Sequence, residues 1–245
     1  MSEMDNKEEE QCFRERCVNA NHLHAWVYRF TGLNIPRQAI CEHHQAPFDY
    51  LKKSYFEEAS DLVVWAPRGG GKTRLAALAT FLDLIHKPGC AVRILGGSLE
   101  QSLRMWEHLL PQLTTQAGDW IVPKLQSSRR LTLYNQSSAA VLTQSRHAVR
   151  GIRVQKLRCD EVEMFRPEIW EAAQLVTRSI PEIKASIEAI STMHVPGGLM
   201  SRIIDRATEN HSPVIRWCLL EVLEKCPPQR DCASCPLWED FPSFT

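Results

Sequence analysis

The sequence predicts an α/β protein, a mostly parallel sheet with helices on both faces, and three observations carry that prediction. Short β-branched runs alternate with helical stretches of about ten to fifteen residues, the pattern of strand–crossover–strand units. A glycine-rich turn, "APRGGGKT", joins one such strand to one such helix. Another strand, "IRVQKLRCDE", ends in two acids, at the edge where open α/β sheets bind ligands.

Taken in order, residues 1–10 are acidic and polar and are predicted to be disordered. Residues 11–60 read as a helical N-terminal extension. In "CFRERCVNANHLHAWVYRFTG" apolar residues recur at helical spacing up to Gly32, and "APFDYLKKSYFEEAS" repeats the pattern with Phe48, Leu51 and Tyr55 on one face. The core is expected over 61–222. It opens with "DLVVWAP", a buried strand, then the glycine turn, then the helix "KTRLAALATFLDLIHK", stopped by Pro88-Gly89. "CAVRILGGS" is a strand and "LEQSLRMWEHLLPQL" a helix; "RRLTLYN" and "AAVLTQ" form a hairpin around "QSS". After the acidic strand, "PEIWEAAQLVTRSI" is a helix with proline in its first turn, "KASIEAISTM" a strand and "GGLMSRIIDRATEN" a helix. "VIRWCLLEVLE" suits a strand or a helix equally. Residues 223–245 form a short cysteine-rich tail.

The turn has the spacing of a phosphate-binding loop, Ala66-Pro67-Arg68-Gly69-Gly70-Gly71-Lys72-Thr73, with alanine in the position usually held by glycine. Glycines let consecutive backbone N–H groups curl around a phosphate, and the helix N-terminus that follows adds partial positive charge. Lys72 would reach the β- and γ-phosphates of ATP, and the Thr73 hydroxyl would ligate Mg²⁺. Asp160 would hold the same ion through its water shell, and Glu161 would polarise an attacking water. Ser191-Thr192, ending the strand "AISTM", would sense the γ-phosphate. The fold class is therefore a P-loop NTPase of the RecA/ASCE type. A paired Asp-Glu favours ATP hydrolysis coupled to motion over kinase chemistry, and neither a D-x-x-G turn nor an N-K-x-D motif of small GTPases is present.

Charge and cysteines add less. Lys plus Arg equals Asp plus Glu at 29 each, so net charge points to no partner. From Ile121 to Cys159, however, Lys124, Arg129, Arg130, Arg146, Arg150, Arg153, Lys156 and Arg158 occur without one acid. That run suits either phosphate contact or a solvated surface hairpin. Nine cysteines without a secretory signal suggest a reducing, cytoplasmic setting, and no apolar run approaches the roughly 18 residues of a membrane span. Cys12, Cys17, Cys90 and Cys159 are expected to be packing residues. Cys226, Cys232 and Cys235 have knuckle-like spacing for Zn²⁺ and need a fourth ligand, for which Cys218 and His211 are candidates. Cys41 with His43 and His44 is a lesser metal set.

Several stretches together, "CEHHQAPFDYLKKSYFEEASDLVVWAPRGGGKT", "ILGGSLEQSLRMWEHL", "AVRGIRVQKLRCDE", "ISTM" and "CPPQRDCASCPLW", resemble the ATPase domain of phage large terminases, the motors that package DNA into a procapsid. The resemblance runs from about residue 40 to 240. It implies an ATP-driven translocase acting on double-stranded DNA as a homo-oligomeric ring, in the host cytoplasm, with small-terminase and portal proteins as partners. It further implies that Arg68 contacts the γ-phosphate in cis, that Arg150 of the Arg150-Gly151 pair acts on a neighbouring subunit's ATP, and that Gln45 reads adenine. A nuclease domain would normally follow; this chain leaves no room for one, so cleavage is not assigned. Two other readings fit parts of the pattern: the first motor domain of a helicase, and a DNA-binding module with a vestigial loop.

Overall fold

The computed structural model describes residues 3–145, 149 and 151–223. Seven helices and seven strands organise the described residues: α1 (Glu3–Arg14), α2 (Ala20–Thr31), α3 (Pro47–Tyr55), β1 (Asp61–Trp65), α4 (Lys72–His86), β2 (Ala91–Gly96), α5 (Leu99–Ala117), β3 (Arg130–Thr132), β4 (Ser138–Leu142), β5 (Lys156–Asp160), α6 (Pro167–Ala173), β6 (Ser186–Ser191), α7 (Leu199–Glu209) and β7 (Val214–Arg216). One sheet holds all seven strands in the order β3-β4-β2-β5-β6-β1-β7. Every neighbouring pair is parallel except the β3–β4 hairpin.

Strand parity explains why both faces are covered. Leu62 and Val64 of β1 join the cluster built with α2, α3, α4 and α5, while Val63 between them joins the cluster built with α6 and α7. Apolar residues on both sides of each central strand thus produce the near-continuous hydrophobic runs seen in the sequence. The α4 helix is buried on almost all sides, packed against α3 and α5, which is why its sequence is apolar all round rather than striped. Local signals set the ends. Asn19 caps α2 by accepting from the His22 N–H, and Gly32 closes it at φ 70°. Ser98 caps α5, which continues through Pro111 to Ala117.

Three expectations change. The acidic start is not disordered throughout: α1 spans most of it, because Phe13 is buried against Trp26, Phe30 and Phe81 and anchors the helix from its C-terminal end. Cys12 is exposed rather than packed, whereas Cys17, Cys90 and Cys159 are buried. "PEIWEAAQLVTRSI" is helical only to Ala173. The undecided "VIRWCLLEVLE" is strand β7 followed by a single 3₁₀ turn, Leu219–Glu221. No helix among the described residues is long and apolar enough to cross a membrane.

The basic run also divides. Lys124, Arg129, Arg130 and Arg153 are exposed, but Lys156 and Arg158 are buried and paired. The Arg158 guanidinium reaches Asp83 of α4 at 2.6 Å and Glu188 of β6 at 3.1 Å. Tyr50 and Ser54 of α3 donate to the same Glu188 carboxylate at 2.5 and 2.6 Å. Lys87 bridges Asp83 and Glu57 at 2.7 and 2.9 Å, and Lys156 meets Glu57 at 2.9 Å. Burial alone would raise the Asp83 carboxyl, but Lys87 and Arg158 beside it hold it well below the usual range. Arg146 and Arg150 lie outside the described residues.

Removing one member of such a network strands charges in the core, a loss of about 3–5 kcal/mol. Arg158→Leu is expected to lower unfolding stability by that amount in guanidinium titrations, with its slope unchanged. A loss under about 1 kcal/mol would mean that Asp83 and Glu188 find other partners.

Candidate active site

The glycine turn leaves β1 at the C-terminal edge of the sheet and feeds directly into α4. Gly69 and Gly71 adopt φ of 80° and 73°, a conformation that L side chains avoid. Gly71 is the residue preceding the helix and supplies no side-chain cap, so the first N–H groups of α4 keep their donor capacity toward the loop. At Gly70 a Cβ would stand 3.0 Å from the Pro67 carbonyl oxygen and 3.3 Å from the Trp217 indole nitrogen. Trp217, just past β7, donates from its indole N–H to the Gly70 carbonyl at 2.7 Å and pins the loop from the side. Ala66 is buried, and its carbonyl accepts from the Thr192 hydroxyl at 3.0 Å.

Sheet order brings the remaining groups together. Strand β6 lies between β1 and β5, pairing Trp65 with Ser191 on one side and Asp160 with Ile190 on the other. Lys72 is nearly buried; its ammonium sits 3.0 Å from Glu161 Oε1 and donates to Thr192 Oγ1 at 2.9 Å. Thr73 Oγ1 donates to Asp160 Oδ2 at 2.9 Å. The other Glu161 oxygen accepts from Ser191 Oγ at 3.2 Å and from the Thr192 N–H at 3.5 Å. Lys72, Thr73, Asp160, Glu161, Ser191 and Thr192, from three adjacent strand ends, therefore form one connected constellation. Glu161 itself has φ 54°, the left-handed region, which for a non-glycine residue carries strain of roughly 1–2 kcal/mol. Asp160 is buried, and its Oδ1 has no protein partner. Burial pushes its carboxyl up to about 6; the Thr73 hydrogen bond opposes that shift, the Glu161 charge adds to it, and Lys72 opposes it.

Other expected residues fall outside this cluster. Arg68 is exposed on the loop. Gln45 ties down β7: its backbone N–H donates to the Arg216 carbonyl at 2.9 Å, and its side-chain oxygen accepts from the Arg216 N–H at 3.0 Å. A cavity of about 1030 Å³ opens beside the loop, bounded by Gly70, Gly71 and Arg74 on one side and by Ile40, Leu220 and Val222 on the other. Gln45 is not among its lining residues. Arg150 lies outside the described residues, as do Cys226, Cys232 and Cys235. Trp217, Arg74 and the cavity wall had no signature in the sequence, because each is brought to the loop by strand order rather than by spacing.

A seven-stranded, mostly parallel sheet with this loop after β1 and an acid pair two strands away is the P-loop NTPase fold. Within that class, the chain has the fold of phage large terminase ATPase domains. It matches the large terminase of bacteriophage HK97 with a TM-score of 0.63 at 15% identity, over 90% of this chain and 47% of that one. It matches the large terminase of a thermophilic bacteriophage, solved with ADP, with a TM-score of 0.56 at 12% identity, over 69% and 43%. The large terminase ATPase domain of Thermus phage P74-26 aligns with a TM-score of 0.51 at 17% identity, over 69% and 70%. The chain spans less than half the length of the first two of these proteins. No protein-family model matches it, and no curated protein is significantly similar in sequence.

The Asp160 shift has a measurable consequence. The folded chain holds this proton more tightly than an unfolded aspartate does, so the contribution of Asp160 to stability falls as pH rises from about 4 to about 6. Without added nucleotide, Asp160→Asn is expected to be roughly 2–3 kcal/mol more stable than the parent at pH 8. The two should converge near pH 4 in denaturant titrations. A difference that does not change with pH would remove the burial argument.

Proposed function

We propose that the chain is the ATP-hydrolysing motor domain of a terminase-type DNA-packaging machine. The observation that carries this reading is the Lys72–Glu161 pair set between the phosphate loop and Asp160, with Thr192 bonded to both the lysine and the loop strand. In this reading the triphosphate lies along Gly69, Gly70 and Gly71 and the N-terminus of α4, and the nucleoside occupies the cavity between Arg74 and Leu220. Lys72 then exchanges its contact with Glu161 for the more highly charged β- and γ-phosphates. The released Glu161 carboxylate takes a proton from the water that attacks the γ-phosphorus, as the bond to the β,γ-bridging oxygen breaks and ADP leaves with that electron pair. Ser191 and Thr192, bonded to Glu161 before the exchange, register the change and pass it to β6.

The donor set suits magnesium: a Thr73 hydroxyl already directed at a carboxylate, and an Asp160 oxygen with unmet acceptor capacity, fit an octahedral, partly hydrated cation. Magnesium would neutralise charge on the transferring phosphoryl group. Its arrival would also offset the burial that raises the Asp160 carboxyl.

Arg68, exposed on the loop, is placed in this reading on the γ-phosphate in cis, and Arg150 on a neighbouring subunit's nucleotide. Gln45 acts through the strand that carries Trp217 as well as through any contact with adenine. The resemblance to large terminases supports double-stranded DNA as the track, a homo-oligomeric ring as the working form, and portal and small-terminase proteins as partners. Exposed Lys124, Arg129, Arg130 and Arg153 remain available to duplex phosphates.

ATP turnover per chain, followed against protein concentration with and without duplex DNA, tests this. Glu161→Gln is expected to retain nucleotide binding and lose about 10²–10⁴-fold in turnover, the usual span for a general base. Lys72→Ala should lose both. Turnover should rise with concentration if sites are completed between subunits. Undiminished hydrolysis by Glu161→Gln would falsify the assignment of the base.

A further inference from the structure

Two short segments far apart in the chain meet beside the phosphate loop. Cys41-Glu42-His43-His44 precedes α3, and Cys218-Leu219-Leu220-Glu221 follows β7. One ligand-type atom from each of Cys41, His44, Cys218 and Glu221 lies within 4.8 Å of all the others. Both cysteines are free, with their Sγ atoms 3.6 Å apart. A tetrahedral site with Zn–S bonds of about 2.3 Å separates its sulfurs by roughly 3.8 Å. His44 Nδ1 and Glu221 Oε1 are 3.0 Å apart.

Each segment offers two ligand-type residues with two others between them, the spacing with which a tight turn aims two side chains at one ion. Both turns are formed. His43 has φ 64°, and the His44 N–H donates to the Cys41 carbonyl at 3.2 Å. The Leu220 N–H donates to Cys218 Sγ at 3.4 Å. The Glu221 side chain is fully buried, and the backbone fixes its direction: Oε1 accepts from the Ile40 and Cys41 N–H groups and Oε2 from that of Cys218. Among the described residues no lysine or arginine lies within ion-pair distance of it; the side chain beside it is the His44 ring. Two sulfurs, an imidazole and a buried carboxylate form a donor set that a borderline-soft divalent cation satisfies and magnesium does not.

We propose that Cys41, His44, Cys218 and Glu221 bind a structural zinc ion that clamps the segment before α3 to the segment after β7. Four protein ligands fill a tetrahedral shell and leave no open position, so this ion holds structure and performs no chemistry. On binding, the two thiols release their protons to solvent, and the Nδ1 proton that His44 donates to Glu221 passes through solvent to Nε2, which leaves Nδ1 and the carboxylate free to bond the metal. The clamp sits next to the proposed nucleotide pocket. Trp217, adjacent to Cys218, holds Gly70, and Glu221 itself lines the cavity beside the loop. The clamp stands whether or not the chain hydrolyses ATP.

The experiment uses the full chain with Cys226, Cys232 and Cys235 each changed to Ser, so that tail thiols cannot contribute. Metal content is measured after gel filtration, and Co²⁺ is titrated into the chelator-treated protein. The expected result is about one zinc per chain, with a thiolate-to-cobalt charge-transfer band and the intense visible bands of tetrahedral cobalt. Adding Cys41→Ser and Cys218→Ser should abolish both. Glu221→Gln should keep the charge-transfer band and weaken zinc binding at least about tenfold. Zinc below about a tenth of an equivalent together with no thiolate–cobalt band in the triple-Ser chain would overturn the proposal. So would zinc content unaffected by the Cys41 and Cys218 changes, or a Cys41–Cys218 disulfide found by peptide mapping of the freshly purified chain. If the double variant does not fold, the cobalt titration of the triple-Ser chain decides alone.

Discussion

The buried guanidinium of Arg158 sets the relation between helix and sheet on which the candidate active site depends. Lys156, Arg158 and Asp160 alternate along β5 and so face the same side, the side covered by α4, while Leu157 and Cys159 face the opposite cluster. Near the C-terminal end of α4, Asp83 pairs with Arg158, and Lys87, just past the helix, links Asp83 to Glu57, which in turn pairs with Lys156. At its N-terminal end Thr73 meets Asp160. Thr73 and Asp83 are ten residues apart on one helix, a rise of about 15 Å. A charge-assisted anchor at one end of that lever fixes where the hydroxyl falls at the other. An apolar contact in place of Arg158 would tolerate sliding; a fork paired to Asp83 and Glu188 does not.

The acids also show how one strand serves two tasks. A regular continuation of β5 would turn Glu161 toward α6 and α7, away from Asp160. Its left-handed backbone breaks the alternation and brings the carboxylate back to Lys72 and to the end of β6. The strain is local, and the contacts made by Ser191, Thr192 and Lys72 hold it in place. Lys72 in turn has three donors, two of them directed to a carboxylate and a hydroxyl. The result is a site whose cation is already compensated, so an entering anion must compete for it. Under the proposed function that competition frees Glu161 when the triphosphate arrives.

Much of this was legible in the sequence where the determinant is local. The loop 66–73, the length of α4, the end of α2 at Gly32 and the acids ending β5 all follow from residue types at short spacing. What was not legible is non-local. Periodicity does not show that β6 inserts between β1 and β5, yet that insertion is what places Ser191 and Thr192 between the loop and the acids. The basic run read as a phosphate contact or a solvated hairpin because charge alone does not report burial; Lys156 and Arg158 are core residues whose partners lie on α4, β6 and the segment after α3. The tail drew attention to cysteines with knuckle spacing, whereas Cys41 and Cys218, 177 residues apart, meet only in the fold.

The segments on either side of the core converge on a short edge strand. β7 has three residues, pairs on one side only, and yet leads directly into Trp217, the group that holds Gly70. So short an edge strand has little stability of its own. It is held from outside by the Gln45 backbone and side chain on Arg216, by the Arg216 guanidinium on the His43 carbonyl at 2.8 Å, and by Glu221 gripping the Ile40 and Cys41 N–H groups. All of these contacts come from residues 40–45, so the geometry of the phosphate loop depends on a stretch that precedes β1 by some sixteen residues. Hydrogen bonds exposed at a sheet edge fray on their own. A metal shared between Cys41-x-x-His44 and Cys218-x-x-Glu221 would close that edge at the point where fraying would reach Gly70.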